Sequence, residues 1–212
     1  MALVRRSSML LYSHPDDIDS HRVRIVLAEK AVSVEIINID PNDPPRDFLE
    51  ANPYGSLPTL IDRDLVINQS NVIMEYLDER FPHPPLLPVY PINRAKLRLM
   101  VHRIETDWYK QVKYILAGRQ PDKARENLEL LIRRIIPVVN DYEFFMSEEF
   151  SLLDAVLAPL LWRLPQYKVD LQEVSPVVNE YALRIFKRPA FMESLTRAES
   201  LIREDMVNEA YK

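Results

Sequence analysis

Several short groups of residues in the 212-residue chain have types and spacings that can do chemistry or make contacts. Gly55-Ser56-Leu57-Pro58-Thr59-Leu60 puts a proline at the entrance to an apolar run. A sharp bend there suits a cis peptide bond, although Pro58 can equally serve only to shape the loop. Gln69-Ser70 opens a helical pattern. Ser70 there can cap free amides, and the helix dipole would favour an anion such as a ligand carboxylate. Ser151-Leu152-Leu153-Asp154 heads a strongly apolar run and has the spacing of a capping box, in which Ser151 and Asp154 satisfy each other's end of the helix, so its chemistry is that of folding rather than catalysis. Pro82, His83 and Pro84, with Tyr90 nearby, form a proline-rich surface candidate. Prolines have little conformational freedom left to lose on binding, and His83 adds a donor and an acceptor.

What is missing narrows the chemistry further. The chain has no cysteine, so it offers no disulfide, zinc-thiolate site, iron-sulfur cluster or thiol nucleophile. Its four histidines, His14, His21, His83 and His102, are scattered and suggest no metal site. No catalytic residue and no cofactor is expected. A net charge of −5 argues against coating a phosphate backbone, which needs clustered Lys and Arg, so no direct nucleic-acid partner is expected. The apolar run after Arg5 and Arg6 reaches only Met9 to Tyr12, too short for a signal-peptide core, and no run elsewhere approaches the roughly 20 residues needed to cross a bilayer. A cytoplasmic protein without a membrane partner is the expectation.

The elements that must position these residues divide at a proline cluster, Pro82, Pro84, Pro85, Pro88 and Pro91, which reads as a stiff connector. Before it, Met9 to Ser13 reads as a strand. An amphipathic helix carrying Val23, Val26 and Leu27 on one face follows, then a β-branched strand over Val34 to Ile39 and a short helix over Pro44 to Ala51 capped by Asp43. Thr59 to Ile61 and Leu65 to Ile67 flank a turn at Asp62-Arg63-Asp64, and Ile73, Tyr76 and Leu77 mark a last helix. The order βαβ-α-ββα is that of a thioredoxin-like domain. After the connector only helical spacing appears: a long helix from about Leu97 to Gly118, then further faces around Leu128 to Ile135, Leu153 to Leu161 and Val178 to Phe186. Pro137 and Pro159 should kink or shorten their helices, Trp108 and Trp162 belong to the core, and the polar stretch from Thr196 should be loosely held. The expected division is therefore 1–81, a linker over 82–92, and an all-helical domain over 93–212. Residues 1–81 carry 8 Lys/Arg and 14 Asp/Glu, against 19 and 18 in 82–212, and Glu75, Asp78 and Glu79 read as a solvated acidic face that can also select a basic protein partner.

A thioredoxin-like half with Pro58 and Gln69-Ser70, a proline-rich linker, and a helical half with Ser151-x-x-Asp154 together resemble the glutathione S-transferase superfamily over nearly the whole chain. In such domains the cis-proline exposes a backbone edge for a peptide-like ligand, so Leu57, Pro58, Gln69 and Ser70 correspond to a vestigial glutathione site. The runs Arg22 to Lys30, Met74 to Pro85 and Ala158 to Pro165 are similar to the bacterial stringent starvation protein A family, a regulatory branch of that superfamily. This resemblance implies a transcription accessory protein that binds RNA polymerase holoenzyme, including its sigma factor, in stress or stationary phase, and that forms a homodimer. The expected polymerase contact is Pro82, His83, Pro84 and Tyr90. The alternative is a glutathione-dependent transferase or peroxidase, which needs a hydroxyl near the end of the first strand to stabilise a thiolate. There the sequence reads Tyr12-Ser13-His14-Pro15-Asp16-Asp17. A carboxylate about 4 Å from a thiolate repels it by roughly 4 kcal/mol at an effective dielectric of 20. Tyr12 and Ser13 remain as hydroxyl candidates, of which strand alternation turns only one toward any pocket.

Overall fold

The computed structural model describes residues 9–210; Arg5 and Arg6 lie outside the described residues. Two compact units emerge, one built from the chain up to Pro84 together with Pro189–Lys212, the other from Pro85–Arg188.

The first unit is built on a four-stranded sheet of β1 (Leu10–Ser13), β2 (Glu35–Asn38), β3 (Thr59–Asp62) and β4 (Leu65–Ile67), in the order β2-β1-β3-β4. β1 runs parallel to β2, with Leu10 opposite Glu35, and antiparallel to β3, with Leu10 opposite Ile61. The parallel pair needs a crossover, which is α1 (Ile18–Glu29). α2 (Arg46–Ala51) and α3 (Ser70–Arg80) complete the expected βαβ-α-ββα order. One sheet face packs Leu10, Tyr12 and Ile61 against Phe48 of α2. Alternation turns Leu11 and Ser13 to the other face, where Arg24 of α1 reaches Ser13. The first strand is therefore buried on both sides.

Three local expectations change. α1 is not amphipathic: Ser20 to Leu27 are all buried, His21, Arg22 and Arg24 included. Asp43 caps nothing, because Pro44 and Pro45 hold the chain extended and α2 begins only at Arg46, with Pro45 at ψ 152°. Asp78 is no part of a solvated acidic face; it is buried and accepts a hydrogen bond from Lys30 Nζ at 2.6 Å.

The larger difference concerns the end of the chain, which the sequence pattern placed in the helical domain. α11 (Pro189–Ser194) and α12 (Arg197–Ser200) belong to the first unit, and a last helix, Glu204–Ala210, follows them. The reason is a buried ion pair: both Glu199 carboxylate oxygens accept from Arg24 Nη2, at 2.6 and 2.7 Å. The polar stretch 196–200 is thus docked rather than loose, while residues 201–208 are exposed or half-buried.

The second unit is helical: α4 (Pro91–Arg103), α5 (Lys110–Leu116), α6 (Pro121–Arg134), α7 (Ile136–Asp141), α8 (Leu152–Trp162), α9 (Leu171–Val174) and α10 (Pro176–Phe186). A π-helical stretch, Ile104–Tyr109, joins α4 to α5, and Gly118 at φ 64° ends this rod with a Schellman pair of hydrogen bonds, Arg119 N to Tyr114 O and Gly118 N to Ile115 O. Pro137 divides one expected helix into α6 and α7, whereas Pro159 sits inside α8 without ending it. Every residue of α8 is buried, as its all-round apolar character requires. Trp162 packs edge-on against Phe186, with ring centroids 4.9 Å apart, and both tryptophans are core residues. Among the described residues no helix is long and apolar enough to cross a membrane.

Candidate functional site

The chain leaving β1 is the place where a transferase needs a thiolate-stabilising hydroxyl, and here both hydroxyls, of Tyr12 and Ser13, are buried and engaged. Tyr12 is in the core, edge-on to Phe48 at 5.1 Å, and its hydroxyl donates to Asp47 Oδ2 at 3.0 Å. Ser13 is fully buried; its hydroxyl donates to His14 O and accepts from Arg24. Both hydroxyl candidates are buried, because β1 is covered on both faces. Asp17 is the N-cap of α1, accepting from Ser20 N at 2.6 Å and from Ser20 Oγ at 2.8 Å. Burial pushes its carboxyl above the usual range, against the lowering effect of those hydrogen bonds. The Asp16 amide donates to His14 Nδ1.

The docked C-terminal segment reinforces this loop. Thr196 Oγ1 donates to Pro15 O at 2.6 Å, and Arg24 Nη1 donates to His14 O at 3.1 Å. Arg24 Nε donates to Ser194 O at 3.0 Å, so with Ser13 and Glu199 all five guanidinium hydrogens have acceptors. His21 is fully buried, with Nε2 3.1 Å from Ser194 Oγ and Nδ1 3.6 Å from Glu199.

At the second corner the structure places Leu57, Pro58, Gln69 and Ser70 differently from one another. The Leu57-Pro58 bond is cis, Pro58 is buried and Leu57 half-buried, and the Leu57 backbone makes no hydrogen bond to the other described residues. That edge is open. Gln69 is exposed and precedes α3 without a side-chain cap. Ser70 is not a cap: its hydroxyl donates to Asp19 Oδ1 at 3.0 Å and accepts from the Arg22 guanidinium, which also donates to Asp19. A carboxylate supplied by α1 thus already holds the Ser70 hydroxyl that a ligand carboxylate would use.

Pro82, His83 and Pro84 are all exposed, and the His83-Pro84 bond is cis. The loop is fixed from beneath, because the buried Lys30 ammonium donates both to Asp78 and to the Pro84 carbonyl. In the second unit Tyr90 is 72% exposed, immediately before α4, and Val89 beside it 80%. Ser151 and Asp154 form the expected capping box: Ser151 Oγ accepts from Leu153 N at 3.2 Å, and Asp154 Oδ2 from Ser151 N at 2.8 Å. Phe145 N and the Tyr181 hydroxyl add donors at 2.9 and 2.7 Å. Among the described residues no group of three or more His, Cys, Asp or Glu is placed to hold a metal ion.

Sequence reasoning missed Arg22, Arg24, Lys30 and Glu199. The signal for Glu199 was available, since Thr196-x-x-Glu199 has the same capping-box spacing as Ser151-x-x-Asp154. The signal for the cations was weaker: Arg22, Arg24 and Lys30 flank the apolar stretch 25–28, in a half of the chain rich in carboxylates.

Comparison with known proteins agrees with this layout. The glutathione S-transferase N-terminal domain model matches residues 7–79 and the C-terminal domain model residues 97–189. A glutathione S-transferase from Methylobacillus flagellatus KT, solved with glutathione bound, superposes with a TM-score of 0.78 at 25% identity, covering 89% of this chain and all of that one. The stringent starvation protein A homolog of Coxiella burnetii is 50% identical over 206 residues, 95% of this chain and 98% of that protein, and the homolog of Pasteurella multocida is 50% identical over 194 residues, 90% and 92%. With both domain models matched and half of all aligned residues identical over nearly full length, the chain belongs to the stringent starvation protein A family of the glutathione S-transferase superfamily.

Proposed function

We propose that this protein is a stress-associated transcription accessory factor that binds RNA polymerase holoenzyme without catalysing a reaction, with Pro82, His83 and Pro84 as a principal contact and Tyr90 as a second. The observation that carries the reading is the occupied thiolate corner. Tyr12 and Ser13 are buried and engaged, Asp17 caps α1, and Asp19 holds Ser70, which argues against any of these hydroxyls stabilising a thiolate. The exposed proline loop, with its carbonyl tied to Lys30, has little ordering cost to meet on association. The names of the relatives support a stress-associated role. A homodimer is part of the proposal, with Val72, 55% exposed on α3, as one candidate contact; light scattering that finds a single species near 25 kDa would remove it.

The test pairs stability with binding. Replacing Pro82, His83 and Pro84 together by alanine leaves the core and the Pro84 carbonyl acceptor in place, so the unfolding free energy should change by no more than about 1 to 2 kcal/mol. Retention of RNA polymerase in a pull-down should be lost. A variant that folds normally and still retains polymerase places the contact elsewhere.

The open Leu57 backbone edge favours a second reading, residual glutathione binding. Millimolar glutathione should leave the melting temperature unchanged if the regulatory reading is right, and raise it by several degrees if the corner still binds its ligand.

A further inference from the structure

β2 is an outer strand of the sheet, since the order β2-β1-β3-β4 leaves one of its sides without a neighbour. The register fixes which backbone groups face that side. Glu35 N donates to Met9 O at 3.1 Å and Ile39 N to Ser13 O at 2.9 Å, so residues 35, 37 and 39 turn their amides and carbonyls toward β1. Ile36 and Asn38 turn theirs outward, and among the described residues no hydrogen bond reaches them. Both residues are exposed, Ile36 to 42%. Two donors and two acceptors thus stand in a row with the spacing that a further strand requires.

A pocket of about 410 Å³ opens beside this strand on the α1 side of the sheet. Its apolar wall is Leu27 and Ala28 of α1 with Val32, Val34 and Ile36, and Ser194 of α11 contributes to the lining. Arg24 lines it too, but its guanidinium is committed to Ser13, His14, Ser194 and Glu199. Alternation separates the two faces of β2: Val34 and Ile36 border the pocket, while Glu35 shares the opposite face with Ile37 and Ile39, which pack in the core around Phe48. A strand laid along β2 alternates in the same way. Every second side chain then rests on the apolar wall of the pocket, and the others pass on the side of Glu35.

Charge decides between occupants. Antiparallel pairing of β2 with β2 of a second copy puts both Glu35 carboxylates on one four-residue ladder and faces two acidic units toward each other, since residues 1–81 carry 8 Lys/Arg against 14 Asp/Glu. The same field attracts a strand that carries Lys or Arg. We infer that the open edge of β2 is a docking site for an extended segment of a partner protein in which aliphatic residues alternate with Lys or Arg. Main-chain hydrogen bonds to Ile36 and Asn38 hold the segment, its aliphatic side chains fill the pocket, and its cations lie on the Glu35 face. This site is independent of the polymerase reading, because none of Pro82, His83, Pro84 and Tyr90 takes part in it.

The experiment uses the full-length protein and the blocked peptide N-acetyl-KVKIKVK-amide, with isothermal titration and amide hydrogen exchange as readouts. Saturable binding is expected, with exchange at the Ile36 and Asn38 amides slowed at least about tenfold and that of Glu35 and Ile37, already bonded to β1, nearly unchanged. N-acetyl-KKVIVKK-amide has the same composition and charge without the alternation, and should bind at least about tenfold more weakly. Asn38→Pro removes an outward amide and leaves the bonds to β1 in place. Ile36→Lys, at an exposed position, sets a cation at the rim of the pocket. Each should weaken binding at least about tenfold with circular dichroism unchanged, and if one variant fails to fold the other decides. The inference is overturned by no saturable binding, by equal binding of the two peptides, by protection that spares Ile36 and Asn38, or by binding indifferent to both substitutions. Protection of these two amides that grows with protein concentration in the absence of peptide would also overturn it, by giving the edge to a second copy.

Discussion

Each unit of this molecule buries one carboxylate at the head of a helix, and the two solve the same problem with different partners. Asp154, fully buried, is served by neutral donors only: the amides of Ser151 and Phe145 and the hydroxyls of Ser151 and Tyr181. Glu199, equally buried, closes the box with Thr196 N at 2.9 Å and meets a guanidinium with both oxygens. Burial pushes the Asp154 carboxyl up to about 6 despite its four hydrogen bonds, and burial first, then the charge of Asp154 beside it, raises the Tyr181 hydroxyl well above the usual phenol range. Neutral dipoles orient a buried carboxylate but do not balance its charge. The first arrangement organises a loop inside one helical unit. The second fastens the last segment of the chain to a helix 175 residues earlier.

The sharpest way to break this comparison is to remove Arg24. Arg24→Met deletes five hydrogen bonds and leaves Glu199 buried without its cation, which should cost about 3 to 5 kcal/mol, the usual penalty for breaking one side of a buried pair. Urea unfolding measures it. A loss below about 1 kcal/mol would mean that the C-terminal segment is not held through this pair. Glu199→Gln should fall in the same range, because it leaves the guanidinium unpaired.

The next effect is one of pH, and substituting Asp154 isolates its share. In the unfolded chain this carboxyl loses its proton near 4; in the folded chain it keeps it until about 6. Between those values the folded state binds the extra proton, so stability falls as pH rises from 4 to 6, by up to about 3 kcal/mol for a shift of roughly two units, and is flat in this respect above. Asp154→Asn cannot titrate. The difference between wild-type and variant urea midpoints, taken at intervals from pH 4 to 7, should therefore slope between 4 and 6 and level off beyond. A flat difference would mean that the neutral donors suffice to stabilise the ionised form.

The same comparison shows where the sequence could be read. Binary patterning carried the thioredoxin-like order and the helical second unit because strand alternation and three-and-four spacing report directly on which side chains are buried. The Ser151 box was legible because an apolar helix follows it, whereas the cis bond before Pro58 was only one of two equal readings of a proline at a strand entrance. Glu199 carries the same motif but is followed by polar residues, so local hydropathy pointed away from the core. Its burial depends on Arg24, a partner that no local pattern identifies. Arg22 and Asp78 failed for the same reason: a charge reads as solvated unless its counter-charge, here Asp19 or Lys30, is brought to it by the fold. Exposure of the Pro82 to Pro84 loop was legible, since proline-rich segments between patterned halves have nothing to bury, whereas the pocket beside β2 requires α1, β2 and α11 to converge and leaves no trace in any one of them.

The smallest expected effect separates the two capping hydroxyls. Ser151→Ala removes an acceptor for Leu153 N and a donor to Asp154 Oδ2, a loss of about 1 kcal/mol, typical for an N-cap. Thr196→Ala removes the matching acceptor for Glu199 N at 3.2 Å, and also the donor that holds Pro15 O at 2.6 Å. The Pro15 carbonyl then loses its tether to the C-terminal segment, so the cost should approach about 2 kcal/mol. Thr196→Ser keeps the hydroxyl in both roles and should stay within about 0.5 kcal/mol of wild type. If Thr196→Ala costs no more than Ser151→Ala, the hydroxyl works only as a cap, and the hold on the loop after β1 rests on Arg24 alone. If it costs more and Thr196→Ser restores it, the C-terminal segment itself keeps that loop in the conformation that engages Asp17, Ser13 and His14 and leaves no hydroxyl there for a thiolate.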